Sequence, residues 1–307
     1  MNIQLTSILI WFWKIKYYLR LFYNTMKRAL LIGIDYLSIP SITLNGCVYD
    51  VINVNNVLRD AYDYDSIIIL RDDINNPSTM PTRANIINNL LALAKQSGPL
   101  DEIWVHYSGH GSQIRDKNND EVSGMDGILV PVDYQTQGFI LDDELLSIIK
   151  TFPCKTMLVF DCCHSGTVCD LPWSFQYISP TNTLKTKNNN VSITNPNIFM
   201  FSGCKDNQTS SDIFVSSDKT AQGAFTNALL SGLRYFRHNV SINQLYQYVC
   251  TYLSSNKFAQ IPILSSSSQT PSYNFTRAIV PSTPVSVVAN STSAVIQKNM
   301  KSVMITN

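Results

Sequence analysis

A chain of 307 residues with 45% hydrophobic content can bury the core of one sizeable domain plus tails. Its 23 basic residues balance 22 acidic ones, giving a formal charge of +1, so no global field argues for a nucleic-acid partner or an anionic membrane. The seven cysteines are odd in number and lack the spacing of a disulfide framework, which suits a reducing, cytoplasmic compartment.

The apolar stretch from Ile8 to Phe22 is interrupted by Lys14, Lys16 and Arg20, and only Ile8 to Trp13 is unbroken. A spanning helix needs roughly 20 apolar residues, and a signal peptide carries its charge before the apolar run, not after it. Residues 1–26 are therefore set apart from the domain, and a membrane contact through residues 8–22 is the less favoured reading. Met26 stands just before Lys27, where an internal start would fall.

Ala29 to Ile34 reads as a first strand, followed by a loop with Pro40 and Gly46. Asp50 to Tyr62 has helical spacing of its apolar residues, Ser66 to Leu70 reads as a strand, and Thr82 to Lys95 as a helix with Thr82 as N-cap. Strands follow at Glu102 to Tyr107 and Ile128 to Val132, then a helix from Asp142 to Lys150 with an acidic start, and a strand from Thr156 to Phe160. The polar stretch 181–196 reads as a mobile linker. Beyond it lie a strand (Ile198 to Ser202), helices at Gly223 to Phe236 and Ser241 to Ser254, and a short strand at Ile261 to Leu264. Residues 274–307, poor in charge and rich in Ser, Thr and Pro, are expected to be disordered. Alternating strands and helices predict a mostly parallel sheet with helices on both faces.

Two of the strands end abruptly in reactive residues: His110-Gly111 after one, and Asp161-Cys162-Cys163-His164-Ser165-Gly166 after the other. Ligands and chemistry collect at the carboxyl ends of strands in open α/β sheets. A histidine and a cysteine there could form a base–nucleophile pair, and chemistry alone leaves Cys162 and Cys163 as alternatives. Zinc is disfavoured, because His106 and His110 lie on a strand and loop, where a four-residue spacing does not bring ligands together.

Tyr107-Ser108-Gly109-His110-Gly111 and Asp161-Cys162-Cys163-His164-Ser165-Gly166 resemble the two active-site signatures of the metacaspases. Leu30-Leu31-Ile32-Gly33-Ile34, Asn45-Gly46-Cys47 and Ser202-Gly203-Cys204-Lys205-Asp206 extend the likeness from about Lys27 to Tyr273. The resemblance implies a caspase-like three-layer α/β sandwich with a large-subunit-like part (27–180) and a small-subunit-like part (197–273), ordered as in type I. It implies a cysteine endopeptidase that cleaves polypeptides after Arg or Lys, with Cys163 as nucleophile, His110 as base, and the backbone N–H groups of Gly111 and Cys163 as oxyanion donors. It places Cys47, Asp50, Ser108 and Asp161 in the substrate pocket, and calcium, as an activator, at Asp126, Asp142, Asp143 and Asp170. An Asp-cutting enzyme would need Arg in that pocket, and none is present. Self-processing after Lys185, Lys187 or Lys27-Arg28 is a further expectation, as is a monomer. A catalytically silent scaffold of the same fold is the competing class.

Overall fold

The structure, a computed structural model, describes residues 25–115, 125–162, 169–178, 183–203, 212–215, 220–258 and 260–278. The described residues as far as Arg277 form one compact unit. In chain order its elements are β1 (Lys27–Gly33), α1 (Cys47–Tyr62), β2 (Ser66–Arg71), α2 (Arg83–Gln96), β3 (Glu102–Ser108), β4 (Gly111–Arg115), β5 (Met125–Leu129), β6 (Ile140–Leu141) and α3 (Asp142–Ile149). Then come β7 (Lys155–Asp161), β8 (Trp173–Ile178), β9 (Thr183–Asn188), β10 (Ile198–Ser202), β11 (Asp212–Val215), β12 (Thr220–Gly223), α4 (Ala224–Tyr235), β13 (Val240–Ser241), α5 (Ile242–Ser255), β14 (Ile263–Ser266) and β15 (Asn274–Phe275).

The central sheet has eight strands in the order β2-β1-β3-β7-β10-β14-β8-β9. The first five run parallel, and β14, β8 and β9 add on in antiparallel fashion. Side-chain alternation in the inner strands builds the two cores, since successive residues of a strand face opposite sides. Leu31, Trp104, Met157 and Val159 pack with α1, α4 and α5. Leu30, Ile32, Val105, Leu158 and Phe160 pack with α2 and α3 on the other face. Three layers result, as expected, although the last three strands of the sheet are antiparallel.

Several boundaries differ from the sequence expectations. Helix α1 begins at Cys47, with Gly46 as N-cap, so Asp50 lies inside its first turn and is not the cap. Thr82 does cap α2, its side chain accepting from the Asn85 N–H. Part of the expected linker, Thr183–Asn188, is an edge strand paired with β8; a polar, charged strand suits an edge with one solvated side. Strand β5 starts three residues earlier than expected because it pairs with β4, Asp126 lying opposite Ile114. The expected tail begins too early: Asn274–Phe275 pairs with β13, and Tyr273 and Phe275 are buried. Residues 1–24 and 279–307 lie outside the described residues.

Candidate active site

Strands β1, β3 and β7 are adjacent and parallel, with Gly33, Ser108 and Asp161 in register at their carboxyl ends. His110 follows β3 by two residues. Its Nε2 lies 2.7 Å from the Ile42 carbonyl oxygen, which can only accept. Nε2 therefore carries the proton, and Nδ1 holds the basic lone pair. The imidazole packs against the Tyr36 ring at 4.7 Å between centroids. The Tyr36 hydroxyl accepts the His110 backbone N–H at 2.9 Å and donates to the Val130 carbonyl at 2.7 Å. Tyr107 donates to the His110 carbonyl at 2.7 Å. Burial holds both phenols well above their usual range, so both stay protonated. Tyr36 sits in the left-handed region, with φ 53°. A non-glycine residue held there reflects over-determination by its surroundings. Gly111 is buried and opens β4 directly after His110.

At the end of β7, Cys162 is fully buried in the apolar core with Leu30, Ile32 and Phe160. Cys163, with the backbone N–H expected to serve the oxyanion, lies outside the described residues. None of the five cysteines described is in a disulfide. Burial pushes the Cys154 and Cys250 thiols up to about 12 and raises Cys169 as well.

The four residues expected in the substrate pocket are gathered close to these strand ends. Asp50 and Asp161 are 1% and 3% exposed, which makes them buried carboxylates in need of partners. Ser108 Oγ donates to Asp50 Oδ2 at 2.7 Å, and the Gly223 N–H reaches the same carboxylate at 3.1 Å. Asp161 Oδ2 accepts the Thr226 backbone N–H at 2.9 Å and its hydroxyl at 2.8 Å. Both carboxylates thus face the start of α4, where first-turn N–H groups and the helix dipole offset their mutual repulsion. They meet at Gly223, where a Cβ would lie 2.8 Å from Asp50 Oδ2 and closer still to Asp161 Oδ2. Cys47 lies one turn before Asp50 on the same face of α1, buried, its N–H donating to Asp35 at 2.8 Å.

Three of the four candidate calcium ligands, Asp126, Asp142 and Asp143, lie around the start of α3. Asp142 is buried, its oxygens accepting the Gly127 N–H at 2.6 Å and the Asp143 N–H at 2.9 Å. Burial first, and then the charges of Asp126 and Asp143, push its carboxyl up to about 7 despite those two bonds. Asp170 follows the buried Cys169 at the end of the stretch after β7. All four donors are hard oxygens, the set calcium prefers. Among the described residues, however, no three acidic, His or Cys side chains stand gathered tightly enough to hold an ion as they are. Residues 116–124, between β4 and β5, lie outside the described residues.

Four participants escaped the sequence reading: Tyr36, Ile42, Gly223 and Thr226. Ile42 acts through its carbonyl, which no side-chain pattern reveals. Gly223-Ala224-Phe225-Thr226 was legible only as the start of a helix.

A caspase-like sandwich with His110 and Cys162 at neighbouring strand ends, and Cys163 next in the sequence, has the make-up of a cysteine-type peptidase. The chain belongs to the metacaspase family: the model of the metacaspase peptidase C14 domain matches residues 27–172. It is 34% identical over 289 residues to Metacaspase-1B of Neosartorya fischeri, covering 78% of this chain and 69% of that protein. Metacaspase-1 of Meyerozyma guilliermondii matches at the same identity and coverage. Metacaspase-1 of Saccharomyces cerevisiae is 45% identical over 154 residues, 48% of this chain and 35% of that protein. Two solved structures show the fold alone. One is a Geobacter sulfurreducens protein (TM-score 0.57, 23% identity, 80% of this chain and 94% of that one). The other is caspase-1 of Spodoptera frugiperda (TM-score 0.53, 14% identity, 80% and 90%). The protein is thus a cysteine peptidase whose substrates are polypeptides. No helix among the described residues is long and apolar enough to cross a membrane.

Proposed function

We propose that this metacaspase cleaves polypeptides after Arg or Lys, with Cys163 as nucleophile and His110 as base. The observation that carries the specificity is the meeting of two buried carboxylates, Asp50 and Asp161, at Gly223. A guanidinium or ammonium group entering there gains the partner that burial of a charge demands, whereas an acidic side chain would be repelled. Cys162 is fully buried among apolar side chains, which favours its neighbour as the reactive thiol.

The chemistry follows from the His110 tautomer. With Nε2–H donated to Ile42, Nδ1 takes the Cys163 thiol proton, and the thiolate attacks the scissile carbonyl carbon. The oxyanion that forms accepts from the backbone N–H groups of Gly111 and Cys163. The intermediate collapses as the His110 proton passes to the leaving amine, breaking the C–N bond and leaving an acyl-enzyme. Water, deprotonated by Nδ1, then releases the acid and restores the thiol.

Calcium is proposed as an activator held by Asp126, Asp142, Asp143 and Asp170. When bound it supplies charge neutralisation that lets these carboxylates approach one another. Asp170 follows Cys163 by seven residues.

Self-processing is proposed at Lys185 or Lys187. Both lie in the edge strand β9, which can leave β8 to present the extended segment a cleft accepts. Lys27 and Arg28 are poorer sites, since β1 is paired on both sides and Arg28 is tied to Asp101 at 2.6 Å.

Fluorogenic peptides test the specificity directly. Those ending in Arg or Lys should be hydrolysed and those ending in Asp should not, and equal turnover of both would refute the acidic pocket.

A further inference from the structure

Behind the two carboxylates lies a buried side-chain chain that the reaction does not use directly. Thr226, in the first turn of α4, is 1% exposed, and His106, in the middle of β3, is fully buried. The Thr226 hydroxyl donates its single hydrogen to Asp161 Oδ2 at 2.8 Å. Toward His106 Nε2, 3.4 Å away, the same oxygen can then only accept, so Nε2 carries the imidazole hydrogen. His106 Nδ1 is left as a buried lone pair with no partner among the described residues. Burial pushes this histidine down to about 3, so it is neutral. An unpaired polar atom in a core is costly, and an apolar residue of similar volume would avoid the cost. What the histidine supplies in return is one oriented donor, which holds the Thr226 hydroxyl in the rotamer that points its hydrogen at Asp161.

The same oxygen of Asp161 also accepts the Thr226 backbone N–H, so a single residue fixes it by two donors. Gly203 and Gly223 close in on either side: a Cβ at Gly203 would lie 3.2 Å from Asp161 Oδ1. Asp161 is thereby clamped between elements that lie far apart in the chain. Asp50 accepts from Ser108 and from the Gly223 backbone.

We propose that Thr226, oriented by His106, is the positioning residue that sets Asp161 for a basic side chain, so that selection of Arg and Lys depends on the hydrogen-bond chain His106–Thr226–Asp161. The inference rests on the acidic-pocket reading above and adds to it the residues that aim one of the two carboxylates.

The test compares the parent with Thr226→Val and Thr226→Ser on peptides ending in Arg and in citrulline, its neutral isostere. Thr226→Val keeps the shape and the backbone N–H but loses the hydroxyl. It should raise KM for the Arg peptide about 10–100-fold with kcat within about 3-fold of the parent, the pattern of lost binding to a charged group. The loss should be larger for the Arg peptide than for the citrulline peptide, while alkylation of Cys163 by iodoacetamide stays at the parent rate, a pattern a general packing defect would not give. Thr226→Ser should restore KM to within about 3-fold. An unchanged KM for Arg in Thr226→Val, or equal losses for Arg and citrulline, would overturn the inference. A second measurement needs no variant: ¹⁵N NMR of the parent should find neutral His106 as the Nε2–H tautomer, and an Nδ1–H tautomer would overturn the inference. A parent that does not prefer Arg to citrulline would instead sink the acidic pocket itself, and this inference with it.

Discussion

Adding one methyl group at Gly223 should disable the pocket without disturbing the helix it precedes. The backbone there, φ −61° and ψ 130°, is one any residue adopts, so Gly223→Ala costs no backbone strain. The obstacle is the pair of carboxylates. The new Cβ would stand 2.8 Å from Asp50 Oδ2, against 3.4 Å for ordinary contact, so Asp50 must retreat by at least 0.6 Å and Asp161 by more. A retreat of that size stretches the 2.7 Å Ser108 bond to Asp50 to about 3.3 Å, past the usual O–H···O range, and the larger retreat of Asp161 weakens its 2.8 Å Thr226 bond more. Each hydrogen bond to a charged group contributes about 1.5–3 kcal/mol, so weakening two costs at most about 3–6 kcal/mol, divided between folding and substrate binding. The share on binding should lower kcat/KM for an Arg peptide by at least about tenfold. The assay is a fluorogenic Arg peptide across a concentration range, with iodoacetamide alkylation of Cys163 as the control for an intact dyad. Parent-like kcat/KM in a folded Gly223→Ala protein would show that the carboxylates do not receive the basic side chain.

Further outcomes follow from the dyad and its surroundings. Cys163→Ala should abolish hydrolysis, His110→Ala should lower it by about 10²–10⁴-fold, and Cys162→Ala should cost little; activity surviving in Cys163→Ala but not in Cys162→Ala would move the nucleophile by one residue. Tyr36→Phe removes the acceptor of the His110 N–H and a donor to Val130, and should lower stability by about 1–3 kcal/mol together with kcat, read by thermal melting and steady-state kinetics. In the calcium-free protein Asp142 keeps its proton up to about pH 7, above its unfolded value, so its contribution to stability is present at low pH and is lost as pH rises through about 7. Calcium must displace that proton, so calcium should raise the melting temperature more at pH 8 than at pH 6, and the difference should vanish in Asp142→Asn. Full peptidase activity in excess chelator would remove calcium as an activator.

Much of the fold was legible because the inner strands are long apolar runs with reactive residues at one end. Strands β1, β3, β7 and β10 are buried on both faces, and such runs stand out in a sequence. The edge hairpin β8–β9 was not legible, since half of it reads as polar linker and its strand character comes from pairing with β14 and with itself. At the site, His110 and the acidic residues carry chemistry in their side chains and could be picked out. Ile42 contributes a carbonyl and Gly223 an N–H and the absence of a Cβ, both of which are invisible until the fold brings them to the strand ends. Asp50 shows the limit of local rules: the apolar spacing starts the helix at Asp50, yet α1 begins at Cys47 with Gly46 as its cap, and the Asp50 carboxylate turns to Ser108 and Gly223.

The most direct test of the central claim is a positional peptide library digested by the parent and by Cys163→Ala, with the new carboxyl termini identified by mass spectrometry. The acidic pocket and the dyad predict termini ending in Arg or Lys in the parent digest and no cleavage by Cys163→Ala. Termini ending in Asp, or the same cleavage by Cys163→Ala, would contradict them.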